Sequence, residues 1–175
     1  ERDCFTCHEK LKEGKSVHQA LTMGCTTCHA GIDASNVPHR KKNTLAHGLS
    51  SKQPVLCYGC HDKAEFTKKN IHPPVASGGC TTCHTPHSSD EIALLSKKPL
   101  DLCVQCHPDT PHGQHISSRP TASGEQGSGP QDPMRPGKPF YCGSCHNPHS
   151  TNSPLLFRFD AQSASKLCIN CHTMN

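Results

Sequence analysis

Gly79-Cys80-Thr81-Thr82-Cys83-His84-Thr85-Pro86-His87 is the stretch on which the reading of this chain turns. Its first six residues recur identically at Gly24-Cys25-Thr26-Thr27-Cys28-His29. The pattern underneath, two cysteines two residues apart with histidine directly after, recurs much more widely. It is found at Cys4, Cys7, His8; at Cys57, Cys60, His61; and at Cys103, Cys106, His107. It is found again at Cys142, Cys145, His146 and at Cys168, Cys171, His172. That makes seven motifs, and they use all 14 cysteines of the 175 residues. Hydrophobic residues are 32%, a share that includes those cysteines, with no Trp, two Tyr and five Phe. Mean hydropathy is -0.64. So little apolar material cannot fill an ordinary close-packed core at this length. Such a chain is expected to stay disordered unless something covalent, or something apolar it wraps around, holds it.

C-x-x-C-H is the attachment signature of c-type haem. The chemistry sets the spacing. Two thiols one turn apart can each add to a vinyl group on one edge of a porphyrin, and the next residue, histidine, then lies under the ring within reach of iron. Structural zinc also uses C-x-x-C pairs, two at a time, but gives no reason for a histidine after all seven. A disulfide framework explains an even cysteine count but not an unvarying two-residue spacing. The expectation is seven covalently bound haem c groups. The thioether donors are Cys4, Cys7, Cys25, Cys28, Cys57, Cys60, Cys80, Cys83, Cys103, Cys106, Cys142, Cys145, Cys168 and Cys171. The proximal iron ligands are His8, His29, His61, His84, His107, His146 and His172. With about 25 residues per motif, no layer of protein fits between neighbouring haems, so the porphyrins themselves become the missing core.

Of the 15 histidines, eight lie outside the motifs: His18, His39, His47, His72, His87, His112, His115 and His149. Seven irons need seven distal ligands, one fewer than the supply. Methionine is the competing ligand, but there are only three, Met23, Met134 and Met174. Bis-histidine coordination is therefore expected throughout. Three units can be aligned on Cys25, Cys80 and Cys142. Each carries a Pro-His (Pro38-His39, Pro86-His87, Pro148-His149), then a leucine (Leu45, Leu94, Leu155), then a second motif preceded by Leu56, Leu102 or Leu167. Each is led by a histidine: His18, His72, and His112 or His115. Spacing from the preceding proximal histidine favours His115, with His112 as the spare. His47 is the odd histidine of the first unit and is read as serving the unpaired first motif. The distal set is thus His18, His39, His47, His72, His87, His115 and His149. Spacing leaves open which of them serves which iron.

These residues resemble the doubled C-x-x-C-H family of multihaem c-type cytochromes. The stretch from His72 to Cys103 is a close match; residues 142–172 match well; residues 18–61 match with an insertion before Pro38. The resemblance implies electron carriers of the periplasm or the cell surface, including outer-surface cytochromes of metal-reducing bacteria, some of which stack into filaments. The expected fold is mostly irregular with short α-helices and little or no β-structure, wrapped around a packed chain of seven haems. Four segments are expected within one haem-organised domain: 1–17, 18–71, 72–111 and 112–175, the last with a Gly/Pro-rich surface loop at 117–139. Ser88-Ser89-Asp90-Glu91 reads as a capping box opening a helix to about Lys97, stopped by Pro99. Asp160 is expected to cap a helix reaching Cys168, and residues 62–69 to form another.

All seven motifs end in histidine and distal histidines are plentiful, so no iron needs an open position. This favours electron transfer over catalysis, with no catalytic residues and no enzyme activity expected. A reductase with one open haem is the less favoured class. Each haem carries two propionates, so the formal +4 of the polypeptide falls to about -3 with all haems ferric and about -10 with all ferrous. The basic residues are therefore partial counter-charge for the cofactors. They are not a nucleic-acid footprint, and no nucleic-acid partner is expected. No apolar run approaches the roughly 20 residues a membrane span needs. The chain reads as a mature, exported one, periplasmic or extracellular. The expected partners are other redox proteins, a metal-oxide or other extracellular acceptor, and further copies of the chain in a filament.

Overall fold

Each C-x-x-C-H run closes one helical turn. In all seven, the histidine amide donates to the carbonyl of the first cysteine, at 2.9–3.1 Å. The computed structural model describes residues 3–108, 132, 137 and 140–172. The turns are 3-10 at Cys4–Thr6, Cys25–Thr27 and Cys80–Thr82. The second motif of each pair instead rides on a short α-helix. These are α1 (Val55–Tyr58), α3 (Pro99–Val104) and α5 (Ala164–Cys168). Two further short helices are α2 (Pro73–Ala76) and α4 (Cys142–Cys145). The architecture is the mostly irregular one expected, with short helices and little sheet.

Three two-stranded antiparallel ribbons complete it among the described residues. β1 (Ser16–Val17) pairs with β5 (Ser88–Ser89), β2 (Ile32–Asp33) with β3 (Arg40–Lys41), and β4 (Asn70–Ile71) with β6 (Ser150–Thr151). The first and third are copies of one device. The strand leading into His18 lies against the strand that follows His87, and the strand leading into His72 lies against the one that follows His149. In the first ribbon the Gly14 amide donates to Ser88 Oγ and the Lys15 amide to Asp90 Oδ1. In the third, the Lys68 amide donates to Ser150 Oγ and the Lys69 amide to Asn152 Oδ1.

Three local expectations change. Residues 88–97 are not a helix, because Ser88 and Ser89 are taken by β5. Beyond it lies only a 3-10 turn, Ile92–Leu94, in which Ala93 and Leu94 have φ of 51° and 58°, outside helical space. Pro99 opens α3 rather than stopping a helix; its missing N–H costs nothing in the first turn. Asp160 also has positive φ, and the residue capping α5 is Ser163, whose side chain accepts from the Lys166 amide. Residues 62–69 hold only the 3-10 turn Lys63–Phe66. The loop expected at 117–139 lies, apart from Asp132 and Gly137, outside the described residues.

The chain forms two compact units, one from Glu1–Lys63 and Ser77–Lys98, the other from Ala64–Ala76 and Pro99–Asn175. The first contains β1, β2, β3, β5 and α1; the second contains β4, β6 and the other four helices. Burial is sparse. Among the described residues only Phe157 and Ala161 are buried apolar side chains, and both belong to the second unit. Accessible surface is 12304 Å². A folded monomer of this mass exposes roughly 8,300 Å². The polypeptide has the backbone order of a fold without the apolar interior of one.

Candidate haem-binding site

The seven motif turns set two thiols and an imidazole within one turn of each other, and the surrounding backbone then places further imidazoles opposite. His8 and His39 have ring centroids 6.0 Å apart with planes 32° from parallel. His18 and His61 are 6.1 Å apart at 15°, His29 and His87 6.0 Å at 18°, and His72 and His107 6.1 Å at 25°. Each pair joins one motif histidine to one histidine from outside the motifs. With metal–imidazole bonds of about 2.0–2.1 Å and each ring centre roughly 1 Å behind its nitrogen, two imidazoles on one metal stand about 6.2 Å apart. Four near-equal separations at that value fit an iron between each pair. Two contacts of histidine with phenylalanine are closer: Phe66–His149 is at 5.0 Å and His146–Phe157 at 5.3 Å.

The ribbons put the outer histidines in place. At β1–β5, the His18 amide donates to the His87 carbonyl at 2.7 Å, and His18 Nδ1 bonds the Pro86 carbonyl at 2.8 Å. At β4–β6, the His72 amide donates to the His149 carbonyl at 3.0 Å, and the His72 ring bonds the Pro148 backbone. With His18 Nδ1 engaged, its Nε2 is left for a metal, which is how second-shell carbonyls commonly orient ligating histidines. His39 reaches its place differently. β3, which follows it, folds back on β2, and His39 Nδ1 bonds the Asn36 carbonyl at 2.7 Å. Burial pushes the proton affinities of His72 and His87 down, favouring the neutral ring that binds metal.

A second set of carbonyls holds the proximal rings. His29 Nδ1 bonds the His47 carbonyl at 2.9 Å, His84 Nδ1 the Ala93 carbonyl at 2.8 Å, and His146 Nδ1 the Leu155 carbonyl at 2.7 Å. His39, not His47, stands opposite His8. His112 and His115 lie outside the described residues. Sequence reasoning missed this whole carbonyl set, because a backbone acceptor leaves no signature in residue type.

The thiols also gather. Cys25 is hydrogen-bonded to Cys4, and burial with that contact raises its proton affinity. Burial, with the Cys80 thiol beside it, pushes Cys57 up to about 11, and Cys28 also lies within its field. In the second unit burial raises Cys145, next to Cys171 and Cys168. None of the 14 cysteines forms a disulfide. Among the described residues no three His, Cys, Asp or Glu side chains cluster to hold a metal ion by themselves. The donors are arranged in pairs of imidazoles and pairs of thiols, a set that suits a porphyrin iron and not a tetrahedral ion.

Three stretches, residues 18–66, 72–112 and 132–175, match the model of the doubled CXXCH motif, together well over half of the chain. The chain belongs to the doubled CXXCH motif family. It is a multihaem c-type cytochrome, carrying haem c on paired C-x-x-C-H motifs, and an electron-transfer protein in its broad class. No curated protein matches this cytochrome. The first matched stretch starts at His18, so the Cys4 motif of the cytochrome lies outside the doubled pattern. Among its described residues no helix is long and apolar enough to cross a membrane.

Proposed function

We propose that this cytochrome carries seven haems, every iron held by two histidines, and passes electrons along them between redox partners outside the cytoplasm. The observation that carries the reading is the set of four motif-to-outer histidine pairs at 6.0–6.1 Å. They support His39, His18, His87 and His72 as the distal partners of His8, His61, His29 and His107. Bound haem supplies the one-electron couple, and bis-histidine ligation favours lower potentials than histidine–methionine ligation. The thiol contacts Cys4–Cys25 and Cys57–Cys80 support close approach of the attachment edges of consecutive motifs within the first unit. Spaced sites joined this way suit a conductor better than a single catalytic pocket. Other redox proteins are the partners this arrangement fits, and haem attached by C-x-x-C-H suits an exported chain.

The test is a haem count against protein mass together with electron paramagnetic resonance of the oxidised protein. Seven haems, all low-spin, are expected. A stoichiometric high-spin haem in the untreated protein would instead move the reading to a reductase with one open iron.

A further inference from the structure

Three-residue turns follow the first motif of each pair: Ala46–Gly48, Ile92–Leu94 and Pro154–Leu156. Their middle residues are His47, Ala93 and Leu155, with φ of 50°, 51° and 54°. Each is followed by a second residue of positive φ: Gly48, Leu94 and Leu156. For a non-glycine residue this left-handed region costs about 1–2 kcal/mol, so it persists only where the surroundings demand it. The same surroundings recur in all three. The middle carbonyl accepts from the proximal ring at 2.7–2.9 Å. The next carbonyl accepts from the amide of Gly31, Thr85 or Asn147. Just past the turn, the amide of Ser50, Ser96 or Arg158 donates to the carbonyl of the motif's second cysteine, Cys28, Cys83 or Cys145. The left-handed turn therefore exists to bring one carbonyl to one imidazole.

At two of these three positions the side chain is alanine or leucine, neither of which ligates iron. The position is defined by its backbone. The ring opposite His8 is that of His39, and the His47 ring meets no other imidazole among the described residues. We propose that His47 is a positioning residue and not an iron ligand: its carbonyl fixes the ring of His29, and its imidazole is the spare one of the 15. The count of outer histidines then no longer leaves His112 over. This inference rests on the bis-histidine reading above.

The carbonyl does more than orient. An imidazole that donates its Nδ1 proton to a carbonyl is more basic at Nε2, and a stronger donor there favours ferric over ferrous iron. His29, His84 and His146, the first motif histidines of the three pairs, all have this bond. His8, His61 and His107 have none to a carbonyl among the described residues. In the first two pairs, the first haem is thereby biased to lower potential than the second.

The test compares three variants of the holoprotein by electron paramagnetic resonance and spectroelectrochemical titration. His47→Ala places in the turn the residue that Ala93 already supplies in the next unit; all haems should stay low-spin with midpoints unchanged. His47→Val puts a β-branched residue where φ is positive, which it tolerates poorly. It should loosen the bond to His29 and raise one midpoint, with every haem still low-spin. His39→Ala is the control and should turn one haem high-spin. A high-spin haem in His47→Ala would overturn the proposal, as would a His47→Val titration identical to the parent's. If the untreated protein already lacks a fully low-spin spectrum, it is the underlying ligation reading that fails.

Discussion

At the scale of single residues, histidine does three jobs in this chain. Motif histidines are fixed one residue after a thiol by the helical turn. Outer histidines such as His18 and His72 are fixed through both backbone amide and ring. His47 contributes its carbonyl. Residue type told the first group apart at once, since C-x-x-C-H is local and covalent in meaning. It did not separate His39 from His47, because the distinction is backbone conformation. The leucine alignment misled for the same reason. Leu45, Leu94 and Leu155 look equivalent, yet the structural equivalents are His47, Ala93 and Leu155. Leu155 is 73% exposed, so its side chain is not what holds the place. His87 offers a direct check of the pairing. His87→Ala should leave His29 without a facing imidazole and turn one haem high-spin, read by electron paramagnetic resonance. An unchanged low-spin spectrum would show that His29 has another partner.

At the scale of elements, stability rests on short ribbons stitched by buried hydroxyls. Ser150 in β6 is fully buried; its hydroxyl donates to the Glu65 carbonyl at 2.8 Å and accepts from the Lys68 amide at 3.2 Å. Ser150→Ala strands two backbone groups at once. The cost should be about 1–3 kcal/mol, since two hydrogen bonds of roughly 0.5–1.5 kcal/mol each are lost. A drop of several degrees in the holoprotein's melting temperature is expected, and no drop would mean that water replaces the hydroxyl there. The expected helix over 88–97 failed at this scale too. Ser-x-x-Glu is a sound local signal for a helix start, but pairing with Ser16 and Val17, more than 70 residues earlier, outbids it. The helices on the second motifs were easier to foresee in one case. Residues 164–168 follow a serine cap directly and carry no competing strand partner.

At the scale of the whole molecule, the described residues have almost no apolar interior. Two buried apolar side chains among the described residues cannot offset the conformational entropy of ordering so many residues. The turns, ribbons and left-handed carbonyls are therefore stable only with the groups they are shaped around. Produced without haem attachment, the chain should show a disordered far-ultraviolet circular dichroism spectrum and no cooperative melting. A folded, cooperatively melting apoprotein would mean that the polypeptide has a core of its own. Tethering should add to this stability by restricting the unfolded chain, as any covalent cross-link does.

Some of this could be read before any fold was known. Cofactor type and attachment points are encoded in contiguous pentapeptides, so they need no tertiary context. The sparse secondary structure follows from composition, because a chain short of apolar residues cannot support long amphipathic elements. Which histidine faces which, and which one serves through its backbone, depends on distant strands and on φ values. Those are set by pairing between residues 43 to 81 positions apart. No local run of residue types carries that information, so only the folded chain could supply it.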